Sequence, residues 1–140
     1  MTRSEIDVRL ARHRAAFASR DPGLLAADHA PSGTFTSPAA GTVSGRARIT
    51  EVYSYWVTAF PDIEFTWDEP VIDGTRVGLF WRFRGTLAGK FFGEARVGTR
   101  VEFPGAALYV VSPDGIESAN HVFDFTGALV NAGALKVKPG

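Results

Sequence analysis

The stretch Val71-Ile72-Asp73-Gly74-Thr75-Arg76-Val77-Gly78-Leu79-Phe80-Trp81-Arg82-Phe83-Arg84 decides the fold. Asp-Gly between two β-prone runs signals a hairpin, because both residues accept the positive φ of a tight turn. In the second run Trp81 and Phe83 share one face while Arg82 and Arg84 share the other, the period of a half-buried strand. Upstream, Ile63, Phe65 and Trp67 alternate with Glu64, Thr66 and Asp68 in the same way. Downstream, 100–103, 106–111 and 116–125 read as strands, with Ser112-Pro113-Asp114-Gly115 as a turn and a bulge expected at Pro104-Gly105. The intervening 85–98 is glycine-rich and long enough to read as a functional or mobile loop, not a tight turn.

The first sixty residues have a different period. Ile6, Leu10, His13 and Phe17 recur at helical spacing, with Ser4 as the expected cap. Asp21-Pro22 starts a shorter helix. Thr34 to Ser37 is a short β-prone run, and 39–43 reads as a small-residue loop. Ser44 is the expected cap of a third helix, which carries Ile49, Val52, Tyr53, Trp56 and Phe60 along one face. The tail from Gly127 is expected to be irregular or briefly helical. Helices first and strands afterwards predict an α+β architecture, a curved antiparallel sheet packed against N-terminal helices around a ligand-sized cavity. The sheet's other face is then free for dimer packing.

Composition narrows the function. At 140 residues, residues 1–140 read as a single domain. Fifteen basic residues balance fifteen acidic ones, which argues against nucleic acid or an anionic membrane as partner. Without cysteine there is no thiolate nucleophile and no cysteine-based zinc site, and the three scattered histidines lack metal-ligand spacing. No metal and no cofactor are therefore expected. No apolar leader or membrane-length run is readable, so the expected location is cytoplasmic.

Several residues could carry chemistry. Asp124 is a carboxylate on an otherwise apolar or neutral strand; facing a hydrophobic cavity, it would have a raised pKa suited to acid–base catalysis. Asn120 has the same parity and could orient a carbonyl. His121 falls on the opposite face with Phe123, and is a secondary catalytic candidate or an interface residue. His13 shares the apolar stripe of its helix, and His29 lies beside Pro31 where a pocket mouth could be. Tyr53, Trp56, Phe60, Trp81 and Tyr109 could line an aromatic cavity for a ring-bearing ligand, although such spacing equally describes core. Ser37 could donate a hydrogen bond to the same ligand.

The pieces Phe60-Pro61-Asp62, Asp73-Gly74-Thr75-Arg76-Val77, Trp81-Arg82-Phe83-Arg84-Gly85-Thr86, Asp114-Gly115-Ile116 and Val122-Phe123-Asp124 together resemble the SnoaL-like polyketide cyclase branch of the NTF2-like superfamily, relatives of ketosteroid isomerase. The resemblance implies a cone-shaped α+β barrel, often dimeric, with an apolar pocket at its wide end. It also implies a cofactor-independent cyclase, isomerase or lyase acting on a small ring-bearing or polyketide-like molecule, with Asp124 as the proton shuttle. The isomerase groups are absent: Ser37 stands where the general base would be, Ala107 near the oxyanion carboxylate and Arg14 near the first-helix tyrosine. Leu87 and Ser118-Ala119-Asn120 likewise replace polar groups usual in the cyclase branch. The alternative is a non-catalytic domain that binds a small hydrophobic molecule. A homodimer is expected in either case.

Overall fold

In a computed structural model describing residues 1–138, helix α1 (Arg3–Ser19) opens on Thr2, whose hydroxyl accepts from the Glu5 amide. Thr2 therefore takes the capping role expected of Ser4. Ile6, Leu10, His13 and Ala16 form its buried stripe. Asp21 caps α2 (Pro22–Ala27) through the amides of Gly23 and Leu24. Helix α3 (Arg46–Ala59) has Gly45, not Ser44, at its N-cap position and no side-chain cap.

Strand β1 (His29–Ser37) is longer than its sequence suggests and turns into β2 (Gly41–Ser44), which occupies part of the expected loop. Pro31 and Gly33 sit within β1 where its pairing register shifts, so these breakers mark an irregularity rather than an end. After α3 come β3 (Glu64–Trp67), β4 (Val71–Asp73), β5 (Arg76–Thr86), β6 (Arg100–Ser112) and β7 (Gly115–Phe123). The chain then forms α4 (Phe125–Ala132).

The seven strands make one curved, unclosed sheet in the order β2-β1-β7-β6-β5-β3, with β4 also on β5. Most pairs are antiparallel, but β1 runs parallel to β7, which local alternation could not reveal. The expected bulge at Pro104-Gly105 is absent. Pairing of β5 with β6 runs unbroken from Arg76↔Val110 to Thr86↔Arg100. Pro104 is tolerated because β7 pairs with β6 only from Gly105 onward, leaving an edge position where a missing N–H is acceptable.

The inner sheet face, α1 and α3 bury one continuous core of aromatic and aliphatic side chains. Residues 87–99 connect β5 to β6 as a folded segment, not a free loop. Leu87 and Phe91 are buried, the Phe92 amide donates to the Tyr55 hydroxyl, and the Arg96 amide donates to the Ala132 carbonyl.

Candidate functional site

A cavity of about 50 Å³ lies between the inner sheet face, α3 and the C-terminal end of α1. Its walls are rings. From Phe17, one line of neighbours runs through Tyr53 and Phe35 to His121, with centroids 5.9, 5.7 and 5.0 Å apart. A second runs from Phe17 through Phe65 and Trp81 to His121, at 4.7, 5.1 and 5.9 Å. Half-buried Val52, Trp56 and Phe123 are also part of the lining.

Four non-indole polar side chains reach this space: Arg20, Ser37, Tyr53 and His121. Burial pulls the His121 imidazole down to about 3, with a smaller Coulombic contribution from His13, so the ring is neutral near pH 7. The Trp81 indole Nε1–H donates to its Nδ1 at 3.2 Å. An indole can only donate, so the ring proton sits on Nε2, where it has no partner among the described residues. The Ser37 hydroxyl oxygen accepts from the Ala40 amide at 3.0 Å and keeps its own hydrogen to give. Tyr53 meets His29 Nε2 at 2.8 Å, and burial drives its phenol pKa well up, so it stays protonated. The interior therefore offers neutral hydrogen-bond donors. It contains no carboxylate.

Asp124 does not enter the cavity. Strand β7 ends at Phe123, and Asp124 becomes the exposed N-cap of α4, its carboxylate accepting from the Gly127 amide at 2.8 Å. The capping geometry, not the strand period, sets its direction. Asn120 is exposed on the outer sheet face, so neither it nor Asp124 accompanies His121. Alternation separates His121 from both residues, but the inner face belongs to His121 and Phe123.

Ser37, Tyr53, Trp56 and Trp81 line the cavity, whereas Phe60, Tyr109 and His13 do not. Phe60 is wholly buried, with Trp56, Phe83 and Phe91 around it. Tyr109 lies deeper, between His13 and His121. His13 Nδ1 meets Asp28 at 2.9 Å, and Arg12 closes on the other carboxylate oxygen at 2.7 Å, which ties α1 to the junction of α2 and β1. Burial would raise the Asp28 carboxyl, but these partners outweigh it and hold it below its ordinary value. His29 begins β1 and is fully buried, far from the loop position its neighbours Pro31 and Gly33 suggest. Sequence reading missed Asp28 and Arg20. A buried histidine such as His13 implies a partner, but nothing local names Asp28. Arg20 reads only as the end of a helix.

Among the described residues no group of three metal-ligating side chains converges, and no helix is long and apolar enough to cross a membrane.

This α+β arrangement of helices on a curved, unclosed sheet is the fold of solved SnoaL-like and NTF2-like proteins. The sequence matches the SnoaL-like domain over residues 10–117, and the chain belongs to that family. Its structure is similar to AclR, a candidate hydroxylase of Streptomyces galilaeus, at 21% identity, covering 99% of this chain and 87% of that one with a TM-score of 0.83. It is similar to a protein with a ketosteroid isomerase-like fold from Catenulispora acidiphila DSM 44928 solved in complex with trimethylamine, at 22% identity, 94% and 97% coverage and a TM-score of 0.77. A candidate SnoaL-like polyketide cyclase from Jannaschia sp. CCS1 has 15% identity, 91% and 93% coverage and a TM-score of 0.76. At such identities the likeness is one of fold. No curated protein matches the sequence significantly.

Proposed function

We propose that this chain binds a small, largely apolar, ring-bearing molecule under α3 and holds an acceptor oxygen of that molecule by neutral hydrogen-bond donors. The carrying observation is the His121 ring, which belongs to the cavity lining, has an Nε2–H without a partner among the described residues and has Nδ1 already engaged by Trp81. Such a ring gives a hydrogen bond and has no free lone pair with which to take a proton. The carboxylate needed for the acid–base cyclisation expected from the sequence is outside the cavity. A ligand complex in a protein of the same fold, the trimethylamine-bound one, is consistent with small-molecule binding.

At about 50 Å³ the space is smaller than the roughly 150 Å³ that admits benzene. Entry of a ring therefore requires side chains of the lining to move outward. The test is intrinsic fluorescence, since Trp56 and Trp81 both line the site. Cyclohexanone is expected to change the emission saturably, and His121→Phe to weaken that binding by about tenfold, the loss of one net hydrogen bond. No saturable change in the wild type would overturn the reading.

A second reading is catalysis of an isomerisation or cyclisation, favoured by the presence of His121 and Ser37 in the cavity lining, each with a hydrogen to give. Their donors would stabilise an enolate oxygen. It requires a base carried by the substrate itself or brought by a second molecule. Deuterium exchange into a ring ketone, catalysed by wild type and lost in His121→Phe, would select it.

The protein further pairs with a second copy through the outer sheet face. Phe80, Ala106 and Val122 align across β5, β6 and β7, and Leu108 lies in the adjacent row. Phe80 is 68% exposed and Val122 58%, an apolar strip that a partner would cover.

A further inference from the structure

The cavity's polar groups differ in kind between rim and floor. Arg20 is the one charged side chain in its lining, and it is exposed where α1 ends beside half-buried Phe17. Its Nε donates to the Ile63 carbonyl at 2.9 Å, which holds the guanidinium at the cavity edge. Among the described residues no carboxylate lies within ion-pair distance of it. The two terminal nitrogens are left with the planar fork that suits a carboxylate. The residue caps the C-terminus of α1 in a left-handed backbone conformation, φ 56° and ψ 34°, with its amide donating to the Phe17 carbonyl. At the other end of both lines of rings stands His121, 92% buried by its 8% exposure, with its Nε2–H unpartnered.

Resting on the binding function proposed above, the geometry points to a ligand class: a ring-bearing carboxylate whose anion pairs with Arg20 at the rim and whose carbonyl oxygen receives the His121 Nε2–H within. The phenyl rings between these two groups offer an anion no hydrogen-bond donor, so the ligand's middle is hydrocarbon or aromatic. An amine, protonated near neutral pH, would meet the like charge of Arg20 at the rim. A neutral hydrocarbon would leave the His121 donor unsatisfied, a cost that an oxygen acceptor removes.

Three probes test this on the intact protein by calorimetry: a cyclohexanone carrying a carboxylate opposite its carbonyl, the corresponding carboxamide, and cyclohexanecarboxylate. The keto acid is expected to bind at least tenfold tighter than either of the others. Arg20→Gln should erase its advantage over the carboxamide, and Arg20→Lys should retain part of it. His121→Phe should erase its advantage over cyclohexanecarboxylate. Because the wild-type comparison alone decides the matter, a poorly folding variant does not blunt the test. Equal binding of keto acid and carboxamide would overturn the assignment of the anion to Arg20 while leaving the binding function standing. Failure of all three to bind would overturn both.

Discussion

The Trp81 indole Nε1–H donates to His121 Nδ1 at 3.2 Å, from β5 across the intervening β6 to β7. The bond passes over Gly105, where a Cβ would overlap the Trp81 ring, so a glycine on the middle strand is what allows the contact. Its consequence is a fixed tautomer. Nitrogen-15 NMR of histidine-labelled protein near pH 7 should show His121 protonated at Nε2 alone. Trp81→Phe should mix the tautomers and lower stability by about 1–3 kcal/mol, because it leaves a buried acceptor unpaired. An Nδ1–H signal in the wild type would contradict the arrangement.

Stability should fall on acidification before any carboxylate titrates. Burial, reinforced by positive neighbours, pulls both His29 and His121 to about 3 in the folded state, against an ordinary value of 6.5. Above 6.5 folded and unfolded chains bind equal numbers of protons at these rings, and their contribution is fully present. Below it the unfolded chain binds protons that the folded chain refuses, so the folded fraction falls as pH drops, until about pH 3. Each ring costs up to about tenfold in the folding equilibrium per pH unit in that window. Asp28 acts with the same sign below 3.8, since its folded-state value is depressed. Urea midpoints between pH 4 and 8 should show the slope, and His121→Phe should remove about one ring's share. A flat profile would count against buried neutral histidines.

Much of this architecture is legible in residue order. Alternation over 63–68 and 76–84 places Phe65, Trp67, Trp81 and Phe83 on one side of their strands, and the inner wall follows. The stripe Ile49, Tyr53, Trp56 likewise finds the helix that roofs the cavity. What stays illegible is non-local. Period-two alternation separates His121 from Asp124 but does not say which faces inward; the covering helices do. The parallel register Phe35↔Ala119 and Thr36↔Asn120 joins segments some eighty residues apart, and no local pattern encodes it. Asp124 misleads because a strand-end aspartate and a helix N-cap look alike when the short helix after it contains Gly127 and no charged residue.

Asp124 is therefore expected to matter for stability and not for the cavity. Removing the N-cap acceptor in Asp124→Ala should cost about 1 kcal/mol, seen as a fall of roughly 3 °C in Tm. Asp124→Asn keeps a capping oxygen and should cost less. Neither should change the affinity for cyclohexanone. A loss of binding in Asp124→Asn with Tm unchanged would return the carboxylate to the functional site.

The outer face supplies the last expectation. Soluble monomers expose single apolar side chains freely, but an aligned row across three central strands is a different feature. Phe80 and Val122 flank Ala106 in one register, while Gly78 and Asn120 flank Leu108 in the next, so the patch has a nearly flat middle with one large ring standing out of it. A two-fold axis through such a strip brings each Phe80 against the other copy's small-residue row, a self-complementary contact of the kind closed dimers use. Arg82 and Arg84 border it, and their cross-strand neighbours Glu102, Thr66 and Glu64 keep that border polar and balanced in charge. Sedimentation at micromolar concentration should find the wild type dimeric. Phe80→Asp should produce a folded monomer, because it buries an unpaired charge in the contact while leaving the inner face untouched. Cyclohexanone binding should survive in that monomer, since no residue of the strip lines the cavity. A wild type that sediments as a monomer would dispose of the dimer and leave Phe80 as exposed surface.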